Sequence, residues 1–285
     1  MNYHCQKLKS GLYLVATPLG SARDITLRAL DVLCSCDALA AEDTRSMRKL
    51  LNIHNIPLKD RPILSYNDFN GDRVRPTIMN WLNSNMAVAY ASDAGMPLIA
   101  DPGYQLSKQA VEAGFYVTAV PGASACITAL SLSGLPTDRF FFEGFLPVSK
   151  EKRRQKLKEL SSIPSTLIFY ESPKRLIKMF EDLIAIMGEN RRAVIARELT
   201  KKFEQIISGT LGELHALILK KPLKGELVVL LDRPLTTGLQ DLDVKAELRI
   251  ALSEMTLKDA SDFVASAHGL SKRYVYNLAL SMREN

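Results

Sequence analysis

Three short stretches carry the residue types that could hold a ligand. Ser92-Asp93-Ala94-Gly95-Met96-Pro97 follows a nearly uncharged apolar run, Pro121-Gly122-Ala123-Ser124 follows a second, and Thr17-Pro18-Leu19-Gly20 a third. Small residues let a ligand come close to the backbone. In open α/β sheets, ligands bind at the carboxyl ends of the strands. A carboxylate at such an exit, Asp93, can accept from an ammonium group or a ribose hydroxyl. Each stretch alone reads as a tight turn, whereas three at strand ends point to one shared crevice. No Gly-x-Gly-x-x-Gly follows a strand and no P-loop lysine motif occurs, which disfavours Rossmann-type nucleotide cofactors and ATP hydrolysis. A fourth stretch, Ala41-Glu42-Asp43-Thr44-Arg45, also leaves an apolar run. It reads either as polar chemistry at the crevice edge, with Arg45 on a phosphate, or as a capped helix start with a local ion pair.

The clearest electrostatic feature is Lys150-Glu151-Lys152-Arg153-Arg154-Gln155-Lys156-Leu157-Lys158, with six positive charges against one negative. Such a run attracts a phosphate backbone; the alternative is a solvated helix face. A net charge of +6 over 285 residues is compatible with a polyanionic partner.

The elements that must position these groups alternate. Strands are expected near 12–16, 38–41, 63–66, 86–92 and 115–120, with helices near 26–33, 71–84, 104–113 and 123–133. That alternation implies a parallel sheet covered by helices. After a linker at Leu135-Pro136-Thr137, strands near 140–143, 166–170, 193–197, 204–208 and 227–231 follow one another more directly, so a mixed sheet is expected. Helices intervene near 150–160, 174–187 and 211–219. A second linker, 232–243, precedes an all-helical segment. There, Ser271 is a plausible N-cap, and two helices joined at His268-Gly269 resemble a helix-turn-helix unit. Its overall charge is nearly balanced, and Lys272 and Arg273 give a local basic spot. The expected domains are 10–134, 137–235 and 241–285.

With 47% hydrophobic and 24% charged residues, the composition is that of a globular protein with more than one core. No stretch is long and apolar enough to span a membrane, and the first ten residues lack an apolar signal core. A cytoplasmic location is expected, with no membrane partner. Cys5, Cys34, Cys36 and Cys126 form no paired Cys-x-x-Cys sets and read as free thiols in a reducing compartment; no metal site is expected.

Taken together, several motifs are specific. They are Thr17-Pro18-Leu19-Gly20 with Asp24-Ile25-Thr26; Ala41-Glu42-Asp43-Thr44-Arg45; Ser92-Asp93-Ala94-Gly95 with Asp101-Pro102-Gly103-Tyr104; Glu143-Gly144-Phe145-Leu146-Pro147; Phe169-Tyr170-Glu171-Ser172; and Ala196-Arg197-Glu198-Leu199-Thr200-Lys201. The chain resembles the ribosomal RNA small subunit methyltransferase I family, within the tetrapyrrole methylase superfamily, from Leu12 to about Leu280. The resemblance implies two α/β domains of the class III methyltransferase type with a donor cleft between them, plus a small C-terminal helical domain. It implies a homodimer, S-adenosylmethionine as co-substrate, and 2′-O-methylation of cytidine 1402 in the decoding region of 16S ribosomal RNA within the 30S subunit.

Carried over position by position, the resemblance places Pro18 and Leu19 at the first strand end of the donor site, and Asp93, Ala94, Gly95 and Met96 on its floor. Ser124 and Ala125 would touch the methionine part, with Tyr170, Arg197 and Leu227 near the adenosine. Met96 stands where the family usually has threonine, and Ala16, Ser21 and Ala123 also replace commoner residues. A ribose hydroxyl is a weak acid, so a base or a nearby cation helps remove its proton. Glu42, Asp43 and Arg45 are the candidates, with Glu171 and Glu198 as alternatives from the second half. Contact with RNA is expected from Lys150, Lys152, Arg153, Arg154 and Lys156, and from Lys272 and Arg273. The competing readings are a tetrapyrrole-precursor methyltransferase of the same superfamily and a non-catalytic RNA-binding protein.

Overall fold

The computed structural model describes residues 3–234, 239–268 and 270–282. Residues up to Arg233 form one unit and those from Pro234 a second. The first unit contains two five-stranded sheets.

The first sheet is built from β1 (Gly11–Val15), β2 (Ala38–Ala41), β3 (Ile63–Ser65), β4 (Ala87–Ala91) and β5 (Val117–Val120), in the order β3-β2-β4-β1-β5. Every pairing is parallel. Parallel strands need crossover helices, which cover both faces. On one face Val15, Leu39 and Ala89 meet α1 (Leu27–Ser35) and α2 (Thr44–Ile53). On the other, Leu12, Leu14 and Val88 meet α3 (Gly71–Asn83) and α4 (Tyr104–Glu112). That two-sided burial is why β4 reads as an unbroken apolar run.

The second sheet is mixed. It comprises β6 (Phe140–Phe145), β7 (Thr166–Glu171), β8 (Arg192–Arg197), β9 (Gln205–Thr210) and β10 (Leu227–Leu231), in the order β6-β7-β10-β8-β9. Only β6 and β7 pair in parallel. One face, bearing Phe169, Ile195 and Val229, packs on α6 (Lys150–Ser161), α7 (Pro173–Met187) and α8 (Leu211–Lys220). The opposite face, bearing Ile168, Val194, Val228 and Leu230, packs on α5 (Ala125–Ser133) through Cys126, Ala129 and Leu130. Thus α5 follows a strand of the first sheet in the chain but is buried against the second. The turn into it is tight: a Cβ on Gly122 would lie 2.7 Å from the Ala16 Cβ.

The second unit holds α9 (Leu239–Glu254), α10 (Leu257–His268) and α11 (Lys272–Ser281) around Val244, Leu248, Ala260, Val264, Val275 and Ala279. The Ser271 hydroxyl caps α11 by accepting from Tyr274 N–H at 3.2 Å. Among the described residues, no helix is long and apolar enough to cross a membrane.

One expectation is corrected. Cys5 and Cys34 are joined in a disulfide with their Cα atoms 5.6 Å apart, while Cys36 and Cys126 are free and buried. The N-terminal segment is laid along α1, where His4 N–H donates to the Asp31 carboxylate and Gln6 N–H to the Ser35 hydroxyl. Sequence spacing alone did not reveal that path.

Candidate active site

The carboxyl ends of β1, β2 and β4 are neighbours in the first sheet, so the loops that leave them converge. Thr17 and Gly95 exchange backbone hydrogen bonds of 2.9 and 3.0 Å, tying the first loop to the third. Gly95 has φ +82°, a conformation that favours glycine, and its carbonyl and N–H both face Thr17 as a result. Beyond it the chain is held tightly: Leu98 and Ala100 both take left-handed backbone angles, with φ of 72° and 59°. Non-glycine residues in that region cost of order 1–3 kcal/mol each and cluster at ligand sites. This folded-back loop brings Asp101 beside Asp93.

From the second sheet, the end of β7 and the loops after β8 and before β10 face those turns. A cavity of about 450 Å³ lies between them. Its first-sheet wall includes Leu19, Asp93, Ala94, Gly95, Met96, Ser124 and Ala125, and its second-sheet wall includes Tyr170, Glu171, Leu199 and Leu227. A bulge in β6 shapes one end. Pairing with β7 runs from Phe142 opposite Ile168 directly to Gly144 opposite Phe169, so Phe145 rather than Gly144 stands beside Tyr170. The two rings meet edge to face, centroids 5.7 Å apart.

A second hollow, of about 670 Å³, opens beside the first. Glu42, Asp93, Asp101 and Phe145 line both. Burial raises the Glu42 carboxyl above its ordinary range, and Glu42 Oε2 accepts from Asp93 N–H at 3.2 Å. Burial, then the charge of Asp43, raises Asp93. Burial, then the charge of Glu42, pushes Asp101 up to about 6. Glu171 is raised by burial too; its Oε1 accepts from Ser172 N–H at 2.8 Å, while its Oε2 is buried without a hydrogen-bond partner. Among the described residues, no His/Cys/Asp/Glu group has the arrangement of a metal site.

Not every expected residue lies in the cavity wall. Pro18 lines a smaller neighbouring hollow with Leu19 and Asp93. Arg197 is outside the wall; its Nε donates to the Lys224 carbonyl at 2.7 Å and so holds the turn before Gly225, which does line it. Asp43 caps α2 and grips Arg45, with the nearest N–O distance 2.6 Å. That hydrogen bonding lowers the Asp43 carboxyl to about 2, which makes it a poor proton acceptor. The capped-start reading therefore describes Asp43 and Arg45, which line the second hollow but not the first, while Glu42 lines both.

The basic run also divides. Arg153 is buried, and its guanidinium is bound to Asp182 of α7 at 2.7 Å and to the Val148 carbonyl at 3.1 Å. A buried side chain so committed cannot reach a phosphate, which corrects its assignment as an RNA contact. Arg154 leans toward the same Asp182, and Lys156 lies near Glu143 and Glu159. Lys150, Lys152 and Lys158 stand exposed on α6. In the second unit Arg273 is exposed, and Lys272 pairs with Asp262 at 2.9 Å.

Sequence reasoning did not single out Asp101 or Phe145 as site residues. Asp101 had a signal, since its Asp-Pro-Gly turn closely follows the small-residue loop at 92–97. Phe145 had none, because its position depends on the bulge.

Two sheets of this topology, with a cleft between them, define a methylase of the tetrapyrrole class: residues 11–215 match the tetrapyrrole (corrin/porphyrin) methylases. Residues 239–283 match the family described as the RsmI C-terminal HTH domain. Diphthine synthase shares the fold with a TM-score of 0.60 at 18% identity, over 78% of this chain and 89% of that one. Uroporphyrin-III C-methyl transferase from Thermus thermophilus, complexed with S-adenyl homocysteine, does so with a TM-score of 0.57 at 16% identity, over 78% and 97%. The sequence is 44% identical over 273 residues to ribosomal RNA small subunit methyltransferase I of Vibrio cholerae serotype O1, covering 94% of each chain. It is 42% identical over 276 residues to the protein of that name from Escherichia coli O157:H7, covering 95% of each. The chain belongs to the ribosomal RNA small subunit methyltransferase I family.

Proposed function

We propose that this chain transfers a methyl group from S-adenosylmethionine to a ribose 2′-hydroxyl of 16S ribosomal RNA in the 30S subunit, at cytidine 1402 of the decoding region, acting as a cytoplasmic homodimer. The observation that carries this reading is the cavity between the sheets, in a chain whose curated relatives are named for ribosomal RNA methylation. Its volume suits a drug-sized ligand. Its wall combines apolar residues with the carboxylates Asp93 and Glu171, which can accept from ribose hydroxyls or an ammonium group. The partnerless Glu171 Oε2 is the sort of buried atom that a polar ligand satisfies.

The bound donor supplies an already activated methyl group through its sulfonium. The protein must therefore hold donor and acceptor in line, exclude water, and receive the acceptor's proton. Leu19, Met96, Ala125 and Leu227 provide the dry wall, and Pro18 and Arg197 support the loops around it. Lys150, Lys152 and Lys158 of α6, with Arg273 on α11, are the exposed cations suited to the phosphate backbone.

The test is transfer of a labelled methyl group to 30S subunits from a strain lacking the enzyme, with the product nucleotide mapped. Incorporation at a cytidine ribose is expected. Incorporation only into a porphyrinoid would overturn the reading. Asp93→Ala should weaken donor binding in calorimetry by about 10- to 100-fold, the loss of a charge-assisted hydrogen bond.

A further inference from the structure

A line of exposed cations runs along α2 and continues beyond it, away from the cavity between the sheets. Arg45, Arg48, Lys49 and Asn52 have the i, i+3, i+4, i+7 spacing of one helix stripe, and all four are exposed. Arg45 is gripped by Asp43. Arg48 and Lys49 belong to no ion pair among the described residues, and α2 itself contains no acidic residue.

Tertiary contacts extend the stripe. Just past α2, His54 Nε2 lies 3.0 Å from the Ala22 carbonyl oxygen, and Lys49 lines the smaller hollow together with Gly20 and Ala22. The exposed Arg23 therefore stands next to the helix. Ser21 N–H in turn donates to the Thr200 hydroxyl at 3.1 Å, and Gly20 packs so closely on the Lys201 side chain that a Cβ would not fit. The turn between β8 and β9 thus sits against the 20–22 loop. It carries Lys202 and Phe203, with the Lys202 Nζ 5.7 Å from the ring centroid and Phe203 61% exposed. The other charges of that turn are committed within it: Glu198 pairs with Lys201, and Glu204 accepts from Thr200 N–H. Asp24 stands exposed beside Arg23, and four unpaired cations against it leave the track positive.

We propose that this track, from Phe203 and Lys202 through Arg23 to Lys49 and Arg48, binds the RNA strand on one side of the acceptor nucleotide. Its phosphates lie on the four cations, and an unstacked base lies on Phe203. This rests on the ribosomal RNA reading above. Unpaired cations in a line suit a phosphate backbone. An exposed ring beside a cation suits a nucleobase, which stacks on it in a single-stranded segment. An acidic protein surface would match the cations but gives Phe203 no role. The track also leads to the reaction site, because Arg45 at the head of the stripe lines the second hollow.

The experiment measures filter binding of the full chain to 30S subunits from a strain lacking the enzyme, at several salt concentrations, with donor affinity followed by calorimetry. The double variant Arg48→Gln/Lys49→Gln should reduce the slope of log affinity against log salt by about two, and Arg23→Gln and Lys202→Gln by about one each. Phe203→Leu should weaken binding by about 5- to 100-fold at an unchanged slope, and Phe203→Tyr should restore it. Donor affinity should stay within about threefold throughout. Lys220→Gln, which removes an exposed cation from α8, should keep the wild-type slope. A double variant with the wild-type slope overturns the proposal, as does a slope that falls equally in Lys220→Gln. A double variant that keeps its slope but changes the association of the protein with itself in sedimentation overturns it in favour of a protein interface. Absence of ribose methylation of 30S subunits by the wild type would instead overturn the underlying functional reading.

Discussion

The Tyr170 hydroxyl, at the end of β7, accepts a hydrogen bond from the backbone N–H of Cys126 in the first turn of α5, 3.1 Å away. The first N–H groups of a helix have no partner within the helix. This one is satisfied by a residue of the second sheet, beside the Ser124-Ala125 turn of the cavity wall. Burial holds the Tyr170 hydroxyl in its protonated form well above the usual range, so the bond persists at any working pH.

Tyr170→Phe keeps the ring contacts to Phe142 and Phe145 but leaves the Cys126 N–H without that partner. A loss of about 1–3 kcal/mol in urea unfolding is expected. Donor affinity should fall as well, because the Ser124-Ala125 turn loses its anchor. An unchanged unfolding midpoint would show that water replaces the phenol.

The α6 cations should separate into two kinds. Arg153→Ala leaves the buried Asp182 with only the longer 3.7 Å contact to Arg154 and should cost up to about 3–5 kcal/mol in stability. Lys150→Gln, Lys152→Gln and Lys158→Gln should leave the melting temperature nearly unchanged. Each should reduce the slope of log RNA affinity against log salt by about one. Both are read from thermal melts and filter binding at several salt concentrations. A folded, stable Arg153→Ala with a flattened salt slope would reverse the assignment.

Asp101 also predicts a pH-dependent stability. Its folded carboxyl near 6 lies above the ordinary 3.8, so the folded state holds the proton more tightly. Stability from this group is complete below pH 4 and is lost as pH rises through 6. The full difference corresponds to roughly 3 kcal/mol, and partial exposure reduces it to about 1–2 kcal/mol. Asp101→Asn should therefore be more stable than wild type by that amount at pH 7.5 and equal to it near pH 4, as measured by denaturant titration at both pH values.

The inner strands of both sheets were legible because burial on two faces leaves an unbroken apolar signature, as in β4 and β10. The change from a parallel to a mixed sheet followed from how directly strands succeed one another after Phe140. The turns that line the cavity were legible as small residues at strand ends. Three features depended on tertiary geometry. The Arg153–Asp182 pair joins α6 to α7, and nothing in a basic run distinguishes its buried member. Phe145 reaches the cavity only because the β6 bulge shifts its parity. Asp101 reaches it only because Leu98 and Ala100 fold the loop back in left-handed conformations.

The placement of α5 bears on how the chain can be divided. A cut at Leu135-Pro136 follows the change of sheet in the sequence but separates the helix from the surface that buries it. The amino-terminal fragment would carry Cys126, Ala129 and Leu130 uncovered. The carboxyl-terminal fragment would display Ile168, Val194, Val228 and Leu230 to water. Neither half is then an autonomous folding unit, and a split version of this protein should regain its structure only when both pieces are produced together.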